Sequence, residues 1–253
     1  MKVKLSAVII TYNEEENIER CISSLQGVVE EIIVVDSFSS DKTIKIAKSK
    51  GAIVFQNKFT GHIQQKNFAI TKANHKYVLS LDADECLSKD LKESILKTKN
   101  NWVYDGYSFN RLTNYCGQWI RYCGWYPDRK LRLWDSSKGS WQGQNPHDEF
   151  KLHNISTRSF LKGDLLHYSI ANIEEHLLVI EKFSTIAATE MYSKGTKLPK
   201  LRSLGHPIFK FIKQYIVKLG VLDGRNGFRI CYNSAYSTHL KYKKLAKLYE
   251  KNA

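Results

Sequence analysis

Two hydrophobic periods alternate along the first 81 residues, and this alternation limits what the chain can fold into more than any other feature. Short runs rich in Val and Ile, at Ala7–Ile10, Ile32–Val35, Ile53–Phe55 and Tyr77–Leu81, are apolar on consecutive residues. Runs of that kind suit strands buried on both faces, as in a parallel sheet. Helical patterns lie between them. Asn13 followed by Glu16 has the spacing of a capping box, and Ile18, Cys21, Ile22 and Leu25 then form one apolar face. Ser40-Asp41 opens a second helix that stops at Gly51, and His62–Lys72 reads as a third. The alternation predicts an α/β fold built on a parallel sheet.

Ligands of open parallel sheets bind beyond the carboxyl ends of the strands. Here those positions hold Thr11-Tyr12-Asn13, Asp36-Ser37 and Asp82-Ala83-Asp84, which should line one crevice. Farther on the pattern changes. Tyr107, Phe109 and Arg111 alternate with Ser108 and Asn110, and Lys130–Trp134 alternates too, so antiparallel strands are expected to extend the sheet. Ile173–Met191 reads as a long amphipathic helix with Leu177, Ile180, Ala187 and Met191 on one side.

Composition removes several classes. At 42% hydrophobic residues the chain is too apolar for disorder and can bury a sizeable core. Its longest uncharged apolar runs are about five residues, against the roughly 20 of a membrane span. Leu5–Ile10 is too short for a signal peptide and runs into Glu14-Glu15-Glu16, so a cytoplasmic protein is expected. Five scattered cysteines with no CxxC pair fit reduced, buried thiols. The net charge of +14 is uneven: from Lys194 onward there are 14 Lys and Arg against 2 acids, so that region expects an anionic partner.

A nucleotide diphosphate can be held by a glycine-rich loop or by a metal. The chain has no GxGxxG after its first strand and no GxxxxGK[ST], which leaves the metal. Mg²⁺ takes one or two carboxylates plus phosphate oxygens, and Asp82 and Asp84 after an apolar strand suit it. An Asp-x-Asp is also a common surface turn.

The tract Ala7-Val8-Ile9-Ile10-Thr11-Tyr12-Asn13-Glu14 resembles the opening strand and loop of inverting family-two glycosyltransferases of the GT-A fold. Val34-Val35-Asp36-Ser37-Phe38-Ser39-Ser40-Asp41-Lys42-Thr43 resembles their second strand, and Gln65-Lys66-Asn67 and Leu81-Asp82-Ala83-Asp84-Glu85 follow in the expected order. More loosely, Gly124–Lys130, Trp141, His147-Asp148-Glu149, His167-Tyr168-Ser169 and Leu222-Asp223-Gly224 with Gly227-Phe228 look like the subgroup that adds a sugar to bacterial lipopolysaccharide core.

The resemblance implies a Rossmann-like mixed sheet flanked by helices over residues 1–170, with a donor half over roughly 1–100 and an acceptor half over roughly 101–170. A helical, basic extension follows over 171–253. Thr11, Tyr12 and Glu14 would contact the nucleotide base, Asp36 would accept a hydrogen bond from it, and Lys66 would lie near the base or phosphates. Asp82 would touch the ribose or the metal, Mg²⁺ or Mn²⁺, and Asp84 would be its main ligand, with His167 as a late one. Each residue also has a plainer role open to it. Thr11 and Asn13 can cap a helix, Asp36 can close a turn, Lys66 can be a solvated helix residue and His167 can be structural.

Inverting transfer needs a carboxylate to take the acceptor's proton. Asp148 is the first candidate and Glu149 the second, in a tract that lacks the more usual Glu-Asp pair. His147, Arg129 and Trp125 would face the acceptor, and Trp134 and Trp141 either stack on sugars or fill the core. The expected reaction moves one hexose, from a UDP-sugar, to a glycan or glycolipid acceptor of the lipopolysaccharide core. Absence of a QxxRW tract argues against processive synthesis.

Ile208, Phe211, Ile212, Tyr215, Leu219 and Leu222 recur at helical spacing, with Lys210, Lys213 and Lys218 mostly opposite. A basic amphipathic helix of this kind either packs on the catalytic domain or lies on an anionic membrane, where each Lys or Arg contributes about 1 kcal/mol. The second option places the protein on the cytoplasmic face of the inner membrane. Two other functions compete. Nucleotidyl transfer would need a glycine-rich basic loop where Thr11-Tyr12-Asn13-Glu14 stands, and nucleic-acid binding has the charge but no zinc-finger or RNP motif.

Overall fold

The computed structural model describes residues 2–144, 147–153, 156–196 and 200–251. The chain forms two compact units, one of residues 1–112 and 128–168 and one of 113–127 and 169–253. The division is not the contiguous one read from the sequence. Residues 113–127 belong with the C-terminal ones because Tyr115, Ile120 and Cys123 share a core with Ile170, Ile230 and Cys231.

The first unit opens with β1 (Leu5–Thr11), α1 (Ile18–Leu25), β2 (Glu31–Asp36), α2 (Thr43–Ser49), β3 (Ile53–Gln56), α3 (His62–Ile70) and β4 (Tyr77–Asp82). It continues with β5 (Glu85–Leu87), α4 (Lys89–Asn100) and β6 (Gly106–Tyr115), which runs on into the other unit with the short β7 (Gln118–Trp119). Then come β8 (Asp128–Asp135), β9 (Gly139–Gln144), β10 (His147–Leu152) and β11 (Arg158–Ile170). The main sheet has the order β3-β2-β1-β4-β8-β6-β11-β5, while β9 and β10 form a separate ribbon. As expected, β1 to β4 pair in parallel and β8 and β6 extend the sheet antiparallel.

Consecutive apolar residues in β1 are explained by two cores. Leu5, Ala7 and Ile9 point to one face, with Ile18, Ile22, Leu25, Leu91 and Ile95, and Val8 points to the other, with Ile33, Val35 and Trp134. A period of two and a filled core on each side make almost every interior position apolar; the one polar residue, Ser6, is buried and donates its hydroxyl to Glu31. Fully burying side chains of this size contributes about 1.5–3 kcal/mol each. The capping box expected at Asn13 does not form: α1 begins only at Ile18, with Asn17 before it, and Asn13 adopts a φ of 52°.

The second unit holds α5 (Ile173–Ser193), α6 (Lys200–Ile212) and α7 (Gly224–Lys251). Asn172 caps α5 by accepting the Glu175 N–H, and Glu174 and Glu175 complement the helix dipole. Its buried face is His176, Ile180, Ser184 and Ala188, not the Leu177 side read from hydrophobicity; Leu177 is exposed. The cause is polar pairing. His176 Nδ1 lies 2.9 Å from the Tyr115 hydroxyl and 3.0 Å from Asn233 Nδ2, and Ser184 Oγ accepts from Lys244 Nζ. The basic stretch is not one straight helix either. After α6 it widens into a π-helical turn over Lys213–Val217, then tightens into a 3₁₀ turn over Gly220–Asp223.

Candidate functional site

Three parallel strands end level with one another, since Thr11 pairs with Asp36 and Ile10 with Asp82. The loops that follow β1 and β2 are stitched together. Asn13 N–H donates to Ser39 Oγ, Ser40 N–H donates to Asn13 Oδ1, and Glu14 N–H donates to Thr43 Oγ1. Asp36 closes its own turn: one carboxylate oxygen accepts the Ser39 N–H at 2.9 Å and the other the Ser39 hydroxyl. Tyr12 and Phe38 project outward from these loops, and Phe38 does so at a φ of 63°, a costly backbone for an aromatic residue. Thr11 Oγ1 is buried and without a partner in the protein. An orphaned hydroxyl at a strand end is a group waiting for a ligand or water. Glu14 accepts from the Asn17 side chain.

Beside the strand ends lies a network of buried charge. Lys66, on α3, is almost fully buried; its Nζ is 3.0 Å from Asp82 Oδ1 and 2.8 Å from Asp148 Oδ2. Arg132, on β8, donates from Nη2 to Asp82 Oδ2 and to Glu85 Oε1, each at 3.1 Å. Glu85 also accepts the Asp82 N–H and faces Arg111, which pairs with Asp128. Burial by itself would raise the Asp82 pKa, but Lys66 and then Arg132 outweigh it and hold the carboxyl well below its usual range. For Arg132 the balance runs the same way: burial opposes its charge, while Glu85 and Asp82 stabilise it. The Trp141 ring covers both cations, with Lys66 Nζ 4.5 Å and the Arg132 guanidinium carbon 5.3 Å from its centroid.

Asp84 stands apart from this network. Its Oδ2 lies 3.0 Å from His167 Nε2, and the Tyr168 N–H donates to its backbone carbonyl. β11 brings His167 there by pairing with β5, Glu85 opposite His167. A carboxylate oxygen and an imidazole nitrogen are both groups that can bind a divalent cation, but among the described residues no three such side chains cluster into a complete ligand set.

Alternation along β10 separates the two candidate bases. Asp148 turns inward to Lys66 with only 11% of its side chain exposed, whereas Glu149 points out at 65% and pairs with Lys151. The side chain of His147 lies outside the described residues, as does Pro146. Arg129 is exposed, 5.0 Å over the Phe160 ring. Trp125 belongs to the second unit, where it meets Tyr115 edge-on. Trp134 and Trp141 are core residues: Trp134 stacks on Phe150 at 3.7 Å and neither offers a free face to a sugar. Sequence reasoning passed over Arg132 and Glu85 as members of the charge network. The signal available was a lone arginine between Leu131 and Leu133 in a strand that goes on to Trp134.

Residues 6–151 match the family model described as glycosyl transferase family 2. Among curated proteins, an uncharacterised glycosyltransferase of Rickettsia typhi is 30% identical over 97% of this chain and 87% of its own length. The lipopolysaccharide core biosynthesis glycosyltransferase LpsC of Rhizobium meliloti is 29% identical over 100% of this chain and 94% of its own. Among solved structures, residues 1–349 of S. aureus TarS cover 99% of this chain and 92% of that one at 14% identity and a TM-score of 0.47. Glucosyl-3-phosphoglycerate synthase from Mycobacterium tuberculosis, in complex with Mn²⁺ and UDP, covers 44% of each chain at 22% identity and a TM-score of 0.35.

Proposed function

The chain belongs to glycosyl transferase family 2 and is a glycosyltransferase with the GT-A arrangement of strands; from that premise we propose that it moves one sugar from a UDP-sugar to a lipid-linked lipopolysaccharide-core acceptor, with inversion. The observation that carries this reading is the separation of two carboxylates two residues apart. Asp82 is locked between Lys66 and Arg132, while Asp84 faces His167 only a short step away.

In this reading Thr11 and Tyr12 hold the base, Asp36 and Glu14 shape the loops around it, and Asp82 with Lys66 sets the ribose side of the crevice. Asp84 and His167 hold Mg²⁺ or Mn²⁺, which would neutralise charge on the departing diphosphate. Asp148 takes the proton of the acceptor hydroxyl. Its inward position beside Lys66 orients it, and Glu149, on the other face of the strand, does not share the task. Arg129 and His147 are assigned to the acceptor. The basic C-terminal region keeps the enzyme at the cytoplasmic face of an anionic membrane, where such an acceptor is found. Among the described residues no helix is long and apolar enough to cross a membrane, so this contact is peripheral.

Nucleotide release by the purified full-length chain, measured over a panel of nucleotide sugars with and without Mg²⁺ or Mn²⁺, tests the reading. Metal-dependent release is expected, with Asp84→Ala reducing it at least ~10²-fold. Normal turnover by Asp84→Ala refutes the metal assignment. Salt-sensitive DNA binding without any nucleotide response would overturn the whole reading.

A further inference from the structure

We propose that the bent segment Lys213–Asp223 is an insertion element, which sinks its apolar outer face into an anionic lipid surface. The proposal rests on the membrane reading above and gives it an address. One straight helix would have put Phe211 and Tyr215 on the same outward stripe as Ile208 and Leu222. Instead Phe211 and Tyr215 turn inward, stacked at 5.3 Å, to pack on the core of the second unit. The π-helical turn and the reversal at Leu219 then bring a different set of side chains outward. Ile216, Val217, Leu219, Val221 and Leu222 are 49–68% exposed, five aliphatic residues within a stretch of seven. Single exposed aliphatics are ordinary, but a contiguous group of them marks a contact surface.

The inner side of the segment is fixed, so this is no loose loop. Lys218 carbonyl accepts the Cys123 N–H, and the buried Asp223 carboxylate accepts the N–H groups of Arg121 and Tyr122 at 3.2 and 2.8 Å. Gly220 sits where a Cβ would meet the sulfurs of Cys123 and Cys231 at 2.8–2.9 Å, and a Cβ at Gly227 would strike the Gly220 carbonyl at 1.9 Å. Leu219 is held at a φ of 53°, which a bulky residue adopts only when its surroundings impose it. The chain is thus built to present these side chains to the outside.

Charge selects the occupant. Lys213, Lys218 and Arg225 are exposed around the apolar face. Of the two acids after Lys194, Asp223 is buried and engaged with backbone N–H groups; Glu250, and Glu190 and Glu181 of α5 paired with Lys194 and Lys244, stand against 14 basic residues. A second copy of the chain would bring the same positive excess against itself. A nucleic-acid backbone offers no place for five aliphatic side chains. Anionic lipid supplies both the apolar interior and the negative headgroups.

Cosedimentation of the full-length chain with phosphatidylcholine vesicles, with and without phosphatidylglycerol, tests the proposal. The wild type should pellet with the anionic vesicles only. Val217→Glu with Leu222→Glu should weaken that binding at least ~10-fold, because each aliphatic side chain buried in lipid is worth about a factor of ten or more. The pair should leave the thermal midpoint and nucleotide release unchanged. Lys213→Ala with Lys218→Ala should cost less and make what remains less sensitive to salt. An Ile216→Trp variant should show a blue-shifted emission on anionic vesicles. Failure of the wild type to bind anionic vesicles removes the membrane reading itself. Wild-type binding that the Val217/Leu222 pair leaves intact, or a dimer that the pair dissociates without change in vesicle binding, overturns the assignment of this segment while that reading stands.

Discussion

At the strand ends of the first unit charge is buried and met by opposite charge, whereas along Lys213–Asp223 of the second unit aliphatic side chains are turned out to solvent. Both arrangements oppose the ordinary division of polar and apolar groups, and both are held by their surroundings. In the first unit the restraint is electrostatic, Lys66 and Arg132 against Asp82, Glu85 and Asp148. In the second it is steric, Gly220 and Gly227 in contact with backbone and sulfur. A fold keeps a costly local arrangement where something outside the fold completes it. Here, as proposed, these are a sugar donor for one and a lipid surface for the other.

The largest effect is expected at the charged end: Asp148→Asn should lower kcat by ~10²–10⁴-fold with the fold intact, while Glu149→Gln should change it little. Equal losses would show that burial beside Lys66 does not select the base. Arg132→Met should destabilise the chain by about 3–5 kcal/mol in urea unfolding, because Glu85 and Asp82 lose a buried partner. A neutral result would mean that pairing is not what retains charge in the first unit. For the second unit, Gly227→Ala should cost about 1–3 kcal/mol and weaken vesicle binding along with stability, since the backbone at Gly220 must move.

The smallest effect serves as a control away from both regions. Glu30 accepts from Lys99 Nζ and the Leu5 N–H, and although burial alone would raise its pKa, these partners hold it below the usual value. A lowered folded-state pKa gives stability that is complete above the unfolded value of about 4.3 and is lost as pH falls through the folded one. Glu30→Gln should therefore cost about 1 kcal/mol or less at pH 7, and the gap to the wild type should close below about pH 4. A gap that persists into acid would mean that packing, and not charge, is what Glu30 contributes.

Much of the first unit was legible in the chain. Each of the first four strands was found from its apolar run, and the polar residues after β1, β2 and β4 do end side by side. Local errors came where a tertiary contact outbid a local pattern. Asn13 was expected to cap α1, but its side chain is taken by Ser40 across the crevice. Leu177 was expected inward on α5, but the polar set His176, Tyr115 and Asn233 took that face.

What the sequence by itself determined is the alternation of strand and helix, the carboxylates at the strand ends and the excess of base after Lys194. These follow from periods of two and 3.6 and from composition, which involve only residues near one another in the chain. The tertiary structure alone decided that Lys66 meets Asp148, 82 residues away, that Asp82 and Asp84 have separate partners, and that the outward stripe near the C-terminus is Ile216 to Leu222 without Phe211 and Tyr215. Such meetings depend on strand order and on how each helix turns against its neighbour, and a linear pattern carries neither.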